Sequence, residues 1–191
     1  MYNNRYDERT FTKFSKVMPL YAKKMFRHIT DAENVLALET KEHFRKPPER
    51  EMMKPIEKGS KWGGEYMSMW LSFDYTVPAE LDGRAIYVIQ ECDAVEIFCF
   101  TDGVAKGIIN QKNGFIGGGH SAYLVTNSAK AGETYRVDLE CYAGHTCLGI
   151  DAYDGYDTDD REPRDYTKNY NGLRVCVLEN DIKNAIFDVC A

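Results

Sequence analysis

The sequence WGGEYMSMWLSFDYTVPAELDGRAIYVIQECDAVEIFCFTDGVAKG, residues 62–107, decides the fold class of this chain. Aromatic and β-branched residues alternate here with polar ones in short runs, and the pattern continues to Gly144. Alternation of this kind predicts half-buried strands. Asp102-Gly103 predicts a tight hairpin, because both central residues of such a turn can adopt a positive φ. These features are typical of one half of an antiparallel sandwich rather than of a catalytic core.

The same alternation predicts about seven or eight strands in the whole chain. Along residues 134–142, apolar residues face one way and Arg136, Asp138 and Glu140 face the other, which predicts one buried and one solvated face. Pro78 is expected to end the first strand. The predicted strands are residues 66–77, 84–91, 94–101, 121–126, 134–142, 146–153 and 173–179.

Helical periodicity flanks the predicted strands. Residues 10–29 carry apolar side chains at three- and four-residue steps with lysines opposite, which predicts an amphipathic helix that docks on a core. A helix lying on a membrane surface is the alternative. Pro19 is expected to kink this helix near residue 18 or to divide it, because proline lacks the N–H of a helical residue. A short helix is predicted over residues 180–190.

Composition divides the chain into four parts. Pro47, Pro48 and Pro55 interrupt a charged stretch, which predicts a solvated connector. The predicted parts are an N-terminal helical arm (1–45), the connector (46–61), a β-sandwich domain (62–179) and the start of a helix (180–191) that leads into a downstream domain absent from the chain.

The composition of the 191-residue chain narrows its function class. Hydrophobic residues make up 43% and the formal net charge is -6, so a disordered chain and a nucleic-acid partner are both disfavoured. Because no secretory signal or membrane-spanning run is present, a cytoplasmic location without a membrane partner is predicted. The six cysteines form no C-x-x-C pair and several lie in apolar strand patterns, which predicts reduced, buried thiols. Disulfides are the alternative and would require export.

Seven segments between Trp62 and His145 have an order and spacing that resemble the N-terminal domain of family-38 glycoside hydrolases, the cytoplasmic, bacterial-type α-mannosidases. The segments are Trp62-Gly63, Tyr75-Thr76-Val77-Pro78, Asp82-Gly83-Arg84, Thr101-Asp102-Gly103-Val104, His120, Ala131-Gly132-Glu133-Thr134-Tyr135 and Glu140-Cys141-Tyr142-Ala143-Gly144-His145. Two departures are Cys92-Asp93-Ala94, where the family has a small residue followed by Gly-Glu, and a longer loop over residues 107–119.

The resemblance implies a mainly β fold: a jelly-roll-like antiparallel β-sandwich with an N-terminal amphipathic helix and a short C-terminal helix. It also implies that the parent protein hydrolyses α-mannosides, and that zinc and the catalytic carboxylates belong to a separate catalytic domain. This chain would then be an inactive N-terminal domain that packs on the catalytic domain, shapes its entrance and contributes to homo-oligomer contacts. A free-standing carbohydrate-binding module of the β-sandwich type is the alternative, and an adaptor domain without sugar contact is a third hypothesis.

No catalytic residues are predicted in this chain. None of its thirty acidic residues is singled out by an apolar setting, and its four histidines form no zinc-binding motif. For the acidic loop that contains Asp154, Asp157 and Asp159, calcium binding is the alternative to a solvated loop. Exposed aromatic residues can stack on a pyranose ring, because their faces attract its C–H groups. The candidate sugar-binding residues are Tyr153, Tyr156, Tyr166, Tyr170 and Trp62.

Overall fold

The computed structural model describes residues 4–22, 24–109, 122–145 and 166–190. Within these residues the chain forms two α-helices and eleven strands, with short 3-10 turns at Arg50–Met52 and Ala79–Leu81. The helices are α1 (Asn4–Ala22) and α2 (Asn180–Cys190), and the strands are β1 (Phe26–Asp31), β2 (Leu36–Thr40), β3 (Lys54–Pro55), β4 (Ser60–Gly63), β5 (Ser68–Thr76), β6 (Ile86–Cys92), β7 (Glu96–Thr101), β8 (Val104–Ile109), β9 (Ala122–Thr126), β10 (Thr134–Tyr142) and β11 (Thr167–Leu178).

The strands form two sheets that pack on each other. The first sheet has the order β1-β11-β6-β9, with β4 also paired to β11, and the second has the order β3-β2-β5-β10-β7-β8. Each strand pair among the described residues is antiparallel. The predicted fold class, a mainly β jelly-roll-like sandwich with a helix at each end, is confirmed.

The core lies between the two sheets and consists of the alternating apolar residues that the sequence pattern predicts. Leu139 of β10 pairs with Leu71 of β5 on one side and with Cys99 of β7 on the other, and all three are fully buried. Val88 of β6 and Val175 of β11 join the same buried cluster from the first sheet. Each such side chain contributes about 1.5–3 kcal/mol when it is removed from water, so this layer is the main source of stability.

A hydrogen bond between buried side chains links the two sheets. The hydroxyls of Thr101 on β7 and Tyr123 on β9 are hydrogen-bonded to each other. Burial raises the pKa of Tyr123 to about 12, because the phenolate form would lose its hydration. The folded state therefore stabilises the neutral phenol.

A separate segment of the chain covers part of the outer face of the second sheet. Residues 41–53, here named the strap, follow β2 and contribute Phe44 and Met53 to a small cluster with Trp70 and Phe100. Trp70 is fully buried although it points away from the main core. As a result, the central strand β5 is buried on both faces along most of its length.

Arg50 attaches the strap to β5. Its two Nη atoms donate to the two carboxylate oxygens of Asp74 at 2.6 Å each, and its Nε donates to Ser72 Oγ at 3.1 Å. The guanidinium also holds the pKa of the Asp74 carboxyl below its usual range. This bidentate geometry is the strongest arrangement available to an arginine and a carboxylate, and it fixes the orientation of the strap.

A second arginine, Arg136, reinforces the strap. Its contacts lie on the face of β10 that the sequence predicts to be solvated. Arg136 donates from Nε to Asp138 Oδ1 at 3.0 Å and from Nη2 to the backbone oxygen of Pro48 in the strap at 3.1 Å. Asp138 is fully buried rather than solvated, because the strap lies over this part of the sheet. A buried carboxylate of this kind is tolerated only when it is paired.

The structure differs from the predictions in the N-terminal third of the chain. α1 ends at Ala22, and the end of the predicted helix, residues 26–29, lies in β1, where it pairs with β11. α1 is one element that includes Pro19, so the predicted division does not occur; the proline removes one backbone hydrogen bond in the last turn. The predicted connector contributes β3 and β4, which pair with β2 and β11.

The predictions for the centre and the end of the chain are confirmed in more detail. Asp102 and Gly103 have φ angles of 50° and 73° and join β7 to β8 in a hairpin. β5 ends at Thr76, before Pro78, and α2 occupies the predicted C-terminal helix. The strand predicted over residues 146–153 lies outside the described residues. Four cysteines among the described residues are free and buried, as predicted. They are Cys92, Cys99, Cys141 and Cys176.

The two helices contact each other because of strand register. β1 begins opposite the end of β11, at the pair Phe26 and Leu178, so the helix before β1 and the helix after β11 emerge side by side. Glu179 holds this junction: its backbone N–H donates to Met25 O at 2.9 Å, and its carboxylate accepts from Arg27 Nε at 2.6 Å.

Replacing Tyr123 with phenylalanine should destabilise the fold by about 1 kcal/mol at neutral pH, because Thr101 loses the tyrosine hydroxyl and keeps only the longer hydrogen bond to Val125 O, at 3.5 Å. The pKa of Tyr123 is about 12 when folded and about 10 when unfolded, so its stabilising effect is present below pH 10 and is lost as the pH rises towards 12. The unfolding free energy of the unmodified chain should therefore decrease between about pH 9 and pH 11. The decrease should be about 1 kcal/mol smaller in Tyr123→Phe, which lacks this titrating group. Urea unfolding at the two pH values measures this. Tyr21→Phe, which removes an exposed hydroxyl, is the control; equal slopes in both variants would contradict the assignment.

Replacing Arg50 with alanine should loosen the strap and expose Trp70. The Arg50 and Asp74 side chains are 30% and 47% exposed, so solvent screens the pair and the expected loss is only about 1 kcal/mol. Acrylamide quenching of tryptophan fluorescence should increase. Arg50→Lys should retain part of the protection of Trp70 from acrylamide, since lysine keeps the positive charge but cannot make the bidentate contact. Arg45→Ala, at an exposed arginine of the strap, should change neither property; quenching that increases equally in Arg45→Ala would refute the role of Arg50.

Candidate functional site

The outer face of the second sheet has a covered half and an open half. The strap covers the half around Trp70, as described above. Beside it lies an open groove of about 380 Å³, formed by the strap and by strands β5, β10, β7 and β8. This surface, here named the outer groove, is lined by His43, Ser68, Glu96, Phe98, Ile108, Glu140 and Tyr142.

Strand register brings these residues together. On β10, Tyr142 pairs with Ser68 of β5 on one side and with Glu96 of β7 on the other. Glu140, two residues earlier, pairs with Phe98 of β7. Alternate residues of a strand point to the same face, so all five lie on the outer face of the sheet. Glu96 and Glu140 are diagonal neighbours, a relation that places Cβ atoms about 7–8 Å apart.

A row of aromatic rings fixes the position of Phe98. The ring centroids of Phe44 and Trp70 are 6.4 Å apart, those of Trp70 and Phe100 are 5.5 Å apart, and those of Phe100 and Phe98 are 4.7 Å apart. The last pair is T-shaped, which is a favoured geometry for two aromatic rings. The row begins under the strap and ends at Phe98, which is 37% exposed. The strap therefore supports an exposed aromatic ring through the rings of Trp70 and Phe100.

Glu140 is a carboxylate of the outer groove whose pKa is shifted from its usual value. Half-burial raises the pKa of Glu140, because its charged form loses hydration. A hydrogen bond with Ser68 and the charge of His43 lower the pKa in part, but the net direction is upward. A carboxylate offers about four acceptor positions, so further donors can be accommodated on Glu140.

Tyr142 lines the outer groove at the end of β10 and contacts His145, which in turn stacks on Tyr66. The hydroxyl of Tyr142 and Nδ1 of His145 are 2.7 Å apart and form a hydrogen bond. The His145 ring also stacks on Tyr66, with centroids 5.0 Å apart and an interplanar angle of 15°. These contacts hold Tyr142 at the rim, with its ring available as a wall of the groove.

The structure corrects two of the predicted sugar-binding residues. Trp62 and Tyr170 are 4% and 2% exposed and belong to the main core. Tyr170 lies on β11, which begins at Thr167, and Trp62 lies on β4, which pairs with β11; both rings point into the core. Tyr166 is half-buried against the core, and a Cβ added to Gly144 would lie 3.2 Å from its ring.

The other predicted site residues are not tested by the structure. Tyr153, Tyr156, Asp154, Asp157 and Asp159 lie outside the described residues. The sugar contacts of that loop and its alternative as a calcium site therefore stay predictions.

The outer groove contains residues that sequence reasoning missed. The available signal was the period of two itself, since Glu96 and Phe98 on one strand and Glu140 and Tyr142 on another occupy the outward positions. Pairing of the two strands in this register is not visible in the sequence. Without the register, each strand shows only acidic and aromatic residues at these outward positions, which is typical of an ordinary solvated face.

Three further properties of the described residues bear on function. No group of three or more His, Cys, Asp or Glu side chains among them is placed to hold a metal ion. Neither helix, over its described residues, is long and apolar enough to cross a membrane. A wider cleft of about 660 Å³ lies between β8 and β9; residues 110–121, which join these strands, are outside the described residues, so no site is assigned there.

Comparisons with solved structures find glycoside hydrolases. A β-glucuronidase from Ruminococcus gnavus in complex with uronic isofagomine is similar with a TM-score of 0.36 and 14% identity, over 58% of this chain and 19% of that one. The crystal structure of Ruminococcus gnavus β-glucuronidase gives a TM-score of 0.35 and 16% identity, over 58% and 20% of the two chains. This chain thus spans about a fifth of the length of those proteins. No curated protein matches it.

The family comparison is more specific. Residues 34–164 match the family described as "Alpha-mannosidase, jelly roll domain". The match includes the strap, both halves of the outer face and strands of both sheets, and it confirms the resemblance to the N-terminal domain of an α-mannosidase. The chain belongs to the α-mannosidase jelly-roll domain family.

Proposed function

We propose that this chain is a non-catalytic N-terminal domain of an α-mannosidase, which packs on the catalytic domain and shapes the entrance to its active site. The observation that carries the proposal is the family match over residues 34–164, because the matched family is described as the jelly-roll domain of an α-mannosidase. The parent protein would hydrolyse α-mannosides. The zinc implied by the resemblance is assigned to the catalytic domain and not to this chain.

The ionic contacts of the described residues support a structural role. Arg50 with Asp74 and Arg136 with Asp138 hold the strap, as shown above. Arg27 with Glu179 holds the helix junction. In each case an arginine neutralises the carboxylate, whereas a general acid needs a raised pKa and a nucleophile needs access to a substrate. These acidic residues are therefore best explained as parts of the scaffold.

The helix pair is the surface proposed to contact the catalytic domain. Phe14, Val17, Leu20 and Tyr21 of α1 are between 41% and 58% exposed although they are large and apolar. Ala185 and Ile186 of α2 line an apolar groove together with Phe14, Val17 and Tyr21 of α1. A contiguous exposed apolar surface of this kind is typical of an interface. Its proposed occupant is the catalytic domain of the parent, with a second copy of this chain as the occupant when that domain is missing.

A cytoplasmic location is part of the same proposal. The four described free cysteines are buried, and Cys92, Cys99 and Cys141 belong to the core between the sheets. Free thiols in a β-sandwich of this size are typical of a reducing compartment.

The 191-residue chain alone should not hydrolyse 4-nitrophenyl α-D-mannopyranoside, with or without added Zn²⁺. Release of nitrophenol, followed by absorbance, measures this. The outer groove contains two carboxylates, so Glu96→Gln and Glu140→Gln serve as variants that separate real turnover from contamination. Turnover that either substitution abolishes would show that the domain is itself catalytic and would overturn the proposal.

Removing apolar surface from α1 should reduce self-association of the isolated chain. The double variant Val17→Ser and Leu20→Ser removes two exposed aliphatic side chains, whereas Lys13→Ser and Lys16→Ser changes exposed residues of the same helix without removing apolar surface. Sedimentation velocity over a range of concentrations should show a shift to monomer for the first variant only. A chain that is monomeric before any substitution would argue against this docking surface.

A further inference from the structure

We propose that the outer groove binds one neutral pyranose residue of a carbohydrate, with Glu140 and Glu96 as acceptors for its hydroxyl groups and Phe98 against its C–H face. The inference concerns a binding site on the second sheet and does not depend on which domain carries out hydrolysis. It involves none of the residues that the sequence predicts to contact sugar, which are Tyr153, Tyr156, Tyr166, Tyr170 and Trp62.

The size of the outer groove fits a single small ligand. Its volume of about 380 Å³ is near the lower end of the range for small-molecule sites, which is roughly 300–1,000 Å³. The groove is open on the side away from the sheet, so a longer chain attached to the bound residue can continue into solvent. A terminal or branching sugar of a larger glycan therefore suits the geometry.

The chemistry of the walls selects a polyhydroxylated ligand. Phe98 is exposed and Tyr142 lines the same groove, so a ligand needs an apolar surface in contact with an aromatic ring. Glu140 is half-buried beside them, and because a carboxylate has about four acceptor positions, it can accept hydrogen bonds from a ligand in addition to the one with Ser68. A pyranose presents both features together, C–H groups on one face and hydroxyl donors around its edge.

Other ligand classes fit less well. An anion would be repelled by Glu96 and Glu140, and a wholly apolar ligand would leave these carboxylates without water or donors. A cation would also be attracted by the two carboxylates, so the test below includes the charged sugar D-mannosamine to separate the two classes. The register makes Glu96 and Glu140 diagonal neighbours with Cβ atoms about 7–8 Å apart, so both carboxylates lie within reach of one bound ring.

The scaffold holds these groups in place before any ligand arrives. Phe98 packs on Phe100 and, through Trp70, on the cluster under the strap. Glu140 is on β10, which is paired on both sides. A site on rigid strands loses little conformational entropy on binding, which compensates in part for the small contact area.

The test is a titration of the 191-residue chain with methyl α-D-mannopyranoside, followed by ¹H–¹⁵N correlation spectra. Saturable shifts should occur at Phe98, Glu140 and Tyr142, with an affinity in the millimolar range. Glu140→Gln should weaken binding about tenfold, since a hydrogen bond to a charged acceptor is replaced by one to a neutral amide. Phe98→Ala should weaken it to a similar degree or abolish it, and Val104→Ala, at an exposed position of β8 outside the groove, should have no effect.

Three outcomes would overturn the inference: no saturable shift with the unmodified chain, shifts that Phe98→Ala and Glu140→Gln leave unchanged, or binding of D-mannosamine without binding of the neutral glycoside, which would indicate a cation site. Glu96→Gln, at an exposed residue, provides a second variant if Glu140→Gln perturbs the fold. Loss of sugar binding would leave the accessory-domain proposal standing, because that proposal is tested by hydrolysis and by association of α1.

Discussion

The hydrogen bonds from the Arg50 guanidinium to Asp74 and Ser72 are the interaction on which the outer half of the structure depends. It holds the strap over Trp70, which would otherwise expose a large ring on the central strand of the second sheet. Arg136 adds a contact to the backbone of Pro48 and pairs with the buried Asp138. The attachment of the strap to the second sheet thus buries both the Asp138 carboxylate and the outward-facing Trp70. The same attachment determines where the covered half of the sheet ends and the outer groove begins.

The centre of the fold could be predicted from the sequence because its information is local. Asp102-Gly103 specifies a hairpin through the conformations of two residues, and the alternation around Leu71 specifies a strand whatever its partner is. β1 could not be predicted in this way. Phe26 and Ile29 have the spacing of a helix, and only pairing with β11, from the far end of the chain, selects the extended form. Tertiary pairing therefore outweighs local periodicity where the two disagree.

The candidate site was less accessible to prediction for a related physical reason. Asp138 and Glu140 occupy equivalent outward positions on β10, and nothing in their immediate sequence separates them. The strap makes one of them a fully buried partner of Arg136 and leaves the other at the edge of the outer groove. Trp62 and Tyr170 show the converse case, since aromatic residues next to a polar loop proved to be core residues once β4 paired with β11. Exposure on a strand is decided by what lies over it.

The two surfaces proposed for function lie on different sheets. The helix pair emerges from the edge where β1 meets β11 in the first sheet, whereas the outer groove lies on the outer face of the second sheet. The two surfaces share no lining residue. Effects of changes at distant, independent surfaces are additive to a first approximation, so the two roles can be separated within one chain. A domain that uses one sheet edge for attachment and the opposite sheet face for a sugar would place a glycan close to a catalytic domain without taking part in the chemistry.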